Sequence, residues 1–273
     1  MTKEWRLFGV KSRIKCIYLF GIKAGIQFIK DWLNFFTSSE EERNNHKKEI
    51  RHIYSRKHNL YYRSWSTDVP LVYDLIVRYM IKGGEYDIKI SKSPDMIIDL
   101  GANIGIFSYL YAKRFPKAKI LAVEPEAENF KILEKNLQNT NNISTYECGI
   151  WWRKAMLSII DRQTGSWGFK CIESGERTKE DRVVAETRGV DIDTLCAENN
   201  FKSGNLIVKM DVEGTERNLF DNIDKAEWVK NLSMLIVEIH DDIYPGTTEL
   251  IDCIMKKKGF VVSKQGENHI YCR

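Results

Sequence analysis

Two parts of the chain concentrate groups that can bind a ligand and move a proton. The first is Asp99-Leu100-Gly101-Ala102-Asn103-Ile104-Gly105, which continues the apolar run Met96-Ile97-Ile98. Gly101 and Gly105 lack a Cβ, so the backbone is expected to approach a ligand closely there. The helix expected after Gly105 adds amide groups with no partner inside the helix. Asp99 supplies an acid suited to the cationic end of an amino-acid ligand. The next apolar run, 119–123, ends in Glu124-Pro125, and a carboxylate at the end of such a strand can accept both hydroxyls of a ribose. The two acids together outline a pocket for a nucleoside joined to an amino acid. A nicotinamide dinucleotide fits worse, because its G-x-G-x-x-G fingerprint would need glycine where Asn103 and Ile106 stand.

The second part supplies the reactive groups: Asp211, Glu213, Glu216, Glu238 and His240. His240 is the favoured general base, since an unperturbed imidazole titrates near neutrality. Asp211 is expected to position the cofactor or the acceptor. Glu238 and His240 are taken to end one strand, where alternate residues share a face. Asp211, Glu238 and His240 form an alternative ligand set for a divalent cation that would acidify an acceptor hydroxyl. Arg63, Trp65 and the aromatic turn at Gln163-Thr164-Gly165-Ser166-Trp167-Gly168 are weaker candidates for the acceptor side.

These groups need a scaffold, and the pattern around them alternates. Strands are expected at 96–100, 119–123, 144–147, 205–210 and 235–239, with helices at 104–114, 127–137 and 250–257 and a further helix between the last two strands. Residues 260–263 and 269–272 flank a turn and predict a C-terminal antiparallel hairpin. Alternating strands and helices predict an α/β fold with a doubly wound, mostly parallel sheet covered on both faces. Earlier in the chain, Ile14, Ile17, Tyr18, Ile22, Ile26, Ile29, Leu33 and Phe36 recur at helical spacing. Residues 14–36 therefore predict one helix, expected to pack on the main domain or on a second subunit, with a membrane surface as the alternative. Residues 38–56 are polar and predict a solvated helix or linker, and a helical pattern from Asp68 runs to Tyr79 and stops at Gly83-Gly84. The expected organisation is an N-terminal helical extension, 1–60, and a catalytic domain, 61–273.

The segment Asp99-Leu-Gly-Ala-Asn-Ile-Gly105 followed by Val123-Glu124-Pro125 resembles class I methyltransferases, whose sheet is Rossmann-like. Lys209-Met210-Asp211-Val212-Glu213-Gly214-Thr215-Glu216 and Val237-Glu238-Ile239-His240 are similar to the FkbM family within them, as are Ser66-Thr67-Asp68 and Gly84-Glu85-Tyr86-Asp87. The resemblance runs from about Tyr62 to the C-terminus. It implies S-adenosylmethionine as cofactor. Gly101, Asn103 and Gly105 would line its methionine part, Glu124 would hold its ribose, and Gly149 would lie near its adenine. It also implies O-methyl transfer to a small molecule, often a sugar or polyketide, so the expected partner is a small-molecule or glycan acceptor. N-methyl transfer and a silent scaffold that keeps the fold are the rivals.

Composition narrows the rest. Forty-two basic residues against 38 acidic give a net charge of +4, too thin a surplus to argue for nucleic acid. The six cysteines are scattered with no metal spacing, which predicts free thiols in a reducing compartment. The longest apolar run near the N-terminus, 16–22, is broken by Lys23, too short to span a bilayer. The expected location is the cytoplasm, with peripheral contact to the inner face of a membrane as an option for 14–36.

Overall fold

The computed structural model describes residues 9–46, 48–78, 84–165 and 167–273. They fall into two compact units, one reaching Ile88 and including Gly165–Trp167, the other comprising Lys89–Thr164 and Gly168–Arg273. The boundary expected at 60/61 therefore moves. It would have cut through β2 (Asn59–Arg63), which pairs antiparallel with β1 (Ile50–Tyr54) and binds those residues to the N-terminal unit.

In that unit, α1 (Val10–Phe20) and α2 (Ile22–Thr37) replace the single expected helix. Gly21 sits between them at φ +83°, a conformation that glycine adopts without steric cost. Their inward faces also differ from the expected stripe. Cys16, Leu19, Phe20, Phe28 and Trp32 are buried, whereas Ile14, Tyr18, Ile22 and Ile26 are exposed. Residues 38–56 hold a short helix, α3 (Glu40–Asn45), closed by a Ser39–Glu42 capping box, and then strand β1. The hairpin was unexpected because β1 turns only Ile53 inward. Helix α4 (Asp68–Val72) passes into a π-helical turn at Tyr73–Arg78; Tyr79 and Gly83 lie outside the described residues.

The larger unit carries the expected α/β sheet. Its strands are β3 (Met96–Leu100), β4 (Lys119–Glu124), β5 (Ile143–Glu147), β10 (Leu206–Met210), β11 (Leu232–Glu238), β12 (Val261–Gln265) and β13 (Asn268–Cys272). The spatial order is β12-β13-β11-β10-β3-β4-β5. The β3, β4, β5, β10 and β11 pairings are parallel, and β13 runs antiparallel to both of its neighbours. The terminal hairpin is thus present. Both β3 and β10 are buried along their whole length, as continuous apolar strands covered on two faces should be. Helices α5 (Ile106–Arg114) and α6 (Ala127–Leu137) follow β3 and β4.

A four-stranded sheet is inserted after β5, in the order β6 (Gly149–Ile150), β9 (Val183–Val190), β7 (Ala155–Asp161), β8 (Phe169–Glu173). The turn at 163–168 therefore links two antiparallel strands. Asp191 caps α7 (Ile192–Glu198) by accepting the Thr194 amide at 2.7 Å, the capping role its side chain suits. Helix α8 (Thr215–Asp221) lies between β10 and β11, and α9 (Thr247–Lys257) precedes the final hairpin. All six cysteines are free. From β3 the chain winds to β4 and β5 on one side, and β10 and β11 lie on the other. The topological switch therefore lies between β3 and β10, and ligands of such sheets sit beyond the strand ends at that point.

Candidate active site

The turn after β3 is shaped by the protein's own backbone. Gly101 has φ +71°, and a Cβ there would lie 1.7 Å from the Asp211 carbonyl oxygen, at the end of β10. Gly105 has φ +81°, and its Cβ would press on Leu133 and Leu137 of α6. Both glycines are thus required by conformation and by packing between neighbouring elements. The expectation that they serve close approach of a ligand is corrected to that extent. Gly101 and Asn103 remain partly open, while Ala102, Ile104 and Gly105 are buried. Asn103 has φ +50°, and its side-chain oxygen accepts the Ile104 amide at 2.7 Å.

Glu124 closes β4 just beneath this turn. Its Oε2 accepts the Asn103 amide at 2.8 Å, and its Oε1 accepts the Glu126 amide at 3.1 Å and Asn129 Nδ2 at 3.3 Å. Burial pushes its pKa up to about 7, against the pull of those donors. Each carboxylate oxygen offers two lone pairs, so Oε2 keeps an acceptor site.

Asp99 is closed off from solvent, at 0% exposure. Its Oδ2 accepts Ser108 Oγ of α5 at 2.7 Å, and its Oδ1 lies 3.4 Å from Lys209 Nζ. In the parallel register Lys209 stands directly opposite Asp99, so both side chains leave the same face of the sheet. Lys209 also donates to the Gly101 carbonyl at 2.8 Å and lies 3.6 Å from Asp211 Oδ2. Burial raises the Asp99 pKa, and the Lys209 charge and the Ser108 hydrogen bond oppose the rise. The pair therefore ties the glycine turn to β10 from below, and the binding role expected for Asp99 is corrected to a supporting one.

The reactive groups meet around His240. Strand β11 ends at Glu238, so His240 lies in the turn beyond it rather than on the strand. Its Nε2 nevertheless faces Glu213 at 3.7 Å, Glu238 at 3.8 Å and Asp211 at 4.0 Å. Its Nδ1 is 3.1 Å from Oε1 of the fully buried Glu216, which also accepts the Val212 amide at 3.0 Å. Burial works against a charged imidazole here. The Glu216 hydrogen bond and the charges of Glu216, Asp211 and Glu213 outweigh it and lift His240 to about 10. The carboxylates around it therefore favour the protonated imidazole, which weighs against the expected resting general base. Because the folded pKa lies above the ordinary 6.5, the stabilisation it gives is complete below that value and fades as pH rises toward 10. A proton NMR titration should show His240 titrating near 10, with no step near 6.5; a step near 6.5 would refute the carboxylate cage.

Opposite the histidine, Arg162 donates to Glu213 Oε2 and, at 2.9 Å, to Asp242 Oδ2. Burial raises the Glu213 pKa, opposed by His240 and Arg162. Among the described residues, Asp211, Glu213 and His240 present ligand atoms within 4.8 Å of one another. Glu213 thus takes the place expected for Glu238 in a candidate cation set.

The profile of the methyltransferase FkbM domain matches residues 99–262. The chain belongs to the FkbM methyltransferase family. Methyltransferase 1 of Beauveria bassiana is 25% identical over 195 residues, spanning 65% of this chain and 77% of its relative. Methyltransferase sdnD of Sordaria araneosa is 24% identical over 209 residues, spanning 66% and 78%. A solved precorrin-6y C5,15-methyltransferase from Geobacter metallireducens overlaps with a TM-score of 0.35 at 10% identity, over 67% of this chain and 82% of that one, a likeness too distant to bear on activity. The protein is therefore an S-adenosylmethionine-dependent methyltransferase.

Within this FkbM methyltransferase, Gly149 is buried in β6, where a Cβ would come within 2.6 Å of Leu157. Packing of the inserted sheet accounts for that glycine. Arg63 is held in a buried pair with Asp68 at 2.8 Å, and Trp65 stacks on His46. Sequence reasoning missed the roles of Lys209 and Arg162. A lone lysine in the apolar strand Leu206-Ile207-Val208-Lys209-Met210 was a usable signal, since a buried charge needs a partner. Arg162, in a turn, carried none.

Proposed function

We propose that this methyltransferase delivers its methyl group to a hydroxyl of a sugar, glycan or similar small molecule, with Asp211 receiving the hydroxyl's proton. The observation that carries this reading is the meeting of Gly101, Glu124, Asp211, Glu213, Glu238 and His240 at the carboxyl ends of β3, β4, β10 and β11. S-adenosylmethionine, when bound, supplies a methyl group activated by the sulfonium charge. The residues suit it: a partly open turn at Gly101 and Asn103, a ribose acceptor in Glu124, and an acid-rich edge for a cation. The protein must then align the acceptor and take its proton. Glu213 and Glu216 are engaged by Arg162 and by the Val212 amide. Asp211 is more open and adjoins the glycine turn through its own carbonyl. Lys209 and His240 act as positioning residues that hold its carboxylate from two sides. Transfer of labelled methyl to a panel of sugars and hydroxylated small molecules tests the reading. Label recovered only on nitrogen would replace it with N-methyl transfer, and cofactor binding without turnover on any acceptor would favour a scaffold.

Glu124→Gln removes a charged acceptor, for which about 1.5–3 kcal/mol is typical. Calorimetry should show S-adenosylmethionine binding roughly ten- to a hundredfold weaker in a protein that stays folded. Wild-type affinity should also strengthen as pH rises through about 7, when Glu124 ionises, and the variant should lose that dependence. Equal affinities would remove Glu124 from the ribose role.

A divalent cation on Asp211, Glu213 and His240 is the second reading, favoured by their convergence. It requires His240 to surrender its proton and Arg162 to release Glu213. The same NMR signal decides it: a metal seated on Nε2 would strip the proton at neutral pH, and an unchanged signal in excess divalent cation excludes the site.

A further inference from the structure

The outward face of the α1–α2 hairpin is apolar. Val10, Ile14, Ile17, Tyr18, Ile22 and Ile26 are 36% to 72% exposed, while the opposite face is buried through Cys16, Leu19, Phe20, Phe28 and Trp32. Each helix thus has two apolar faces, and among the described residues only one of them is buried. Scattered exposed apolar residues need no explanation, but exposed apolar rows at four-residue steps, 10, 14 and 18 on α1 and 22 and 26 on α2, are the pattern of an interaction surface. The flanks are uniformly basic: Lys11, Arg13, Lys15, Lys23 and Lys30 fall between positions 10 and 30, and no acid does. The one acid further along α2, Asp31, is buried and bonded to Tyr62 and Arg51. Lys57 adds another positive group, with Nζ 3.7 Å from the Tyr18 ring centroid. Among the described residues no helix is long and apolar enough to cross a membrane.

We propose that this face docks the protein peripherally on an anionic lipid surface, with the isoleucines in the headgroup boundary and the lysines on the lipid phosphates and carboxylates. An apolar face with basic flanks is the composition of helices that lie in the interface plane, and tyrosine is enriched at that depth. A second copy fits less well, because a symmetric contact would set the same basic flanks against each other.

Sedimentation of the full-length protein with lipid vesicles tests this. Wild type should sediment with vesicles of phosphatidylcholine mixed with phosphatidylserine, far less with phosphatidylcholine alone, and less as salt rises. Each basic residue near such a surface multiplies partitioning roughly fivefold, so Lys11→Glu/Lys15→Glu/Lys23→Glu should weaken it by at least about a hundredfold. Ile14→Glu/Ile22→Glu should abolish it, with circular dichroism unchanged in both variants because every site changed lies outside the buried core. Folded wild type that stays in the supernatant overturns the proposal, as does binding that the isoleucine variant retains. A wild-type dimer by light scattering that Ile14→Glu/Ile22→Glu splits would assign the face to a second copy instead.

Discussion

Lys209→Met should lower the stability of the fold by about 3–5 kcal/mol, the usual consequence of removing one member of a buried ion pair. Asp99 would then be left at 0% exposure with its negative charge facing an apolar side chain. The Gly101 carbonyl would lose its donor at the same time. Urea denaturation is the measurement, and a loss below about 1 kcal/mol, the range of an exposed pair, would refute the account. Adding Asp99→Asn to Lys209→Met should return part of the loss, because the uncompensated charge is then gone. If the double variant is worse by the full sum of both single effects, the two side chains are not coupled.

Asp211→Asn should reduce turnover by about a hundredfold to ten-thousandfold, the range over which a positioned proton acceptor contributes. The amide keeps the shape of the side chain but cannot take the acceptor's proton. S-adenosylmethionine affinity should change little, since Glu124 and the glycine turn are untouched. Single-turnover rates and calorimetry on the same preparation separate the two quantities. Normal turnover would move the proton-accepting role to Glu238, and parallel loss of binding and turnover would make Asp211 a cofactor ligand.

Much of the architecture was legible because its signals were local. Helix α6 begins and ends as expected, since Glu126 caps the Glu128 and Asn129 amides and the apolar stripe is single. Strands β3 and β10 stand out as short unbroken apolar runs. The N-terminal helices show where periodicity fails. Their sequence carries apolar residues on two faces, and spacing alone cannot say which face meets the core. The inserted sheet was hidden for the opposite reason: much of β9 is exposed, so Val183-Val184-Ala185-Glu186 shows no inward alternation. In the site, residue types were legible and directions were not. Asp99 and Lys209 become partners only once β3 and β10 are set side by side in register. The charge on His240 depends on Glu216 and Glu213 approaching from a different element, which no spacing along the chain discloses.

The contact between Gly101 and the Asp211 carbonyl has a bearing on how this loop should be probed. A methyl group at position 101 would collide with the neighbouring strand's backbone, so the site would be pried open before any ligand arrived. Alanine scanning across the loop would then report on whether two strand ends still meet, and an inactive Gly101→Ala protein would say nothing about what the loop binds. For this loop the informative substitution is the isosteric Glu124→Gln, which removes one charge and leaves the contact between Gly101 and the Asp211 carbonyl as it is.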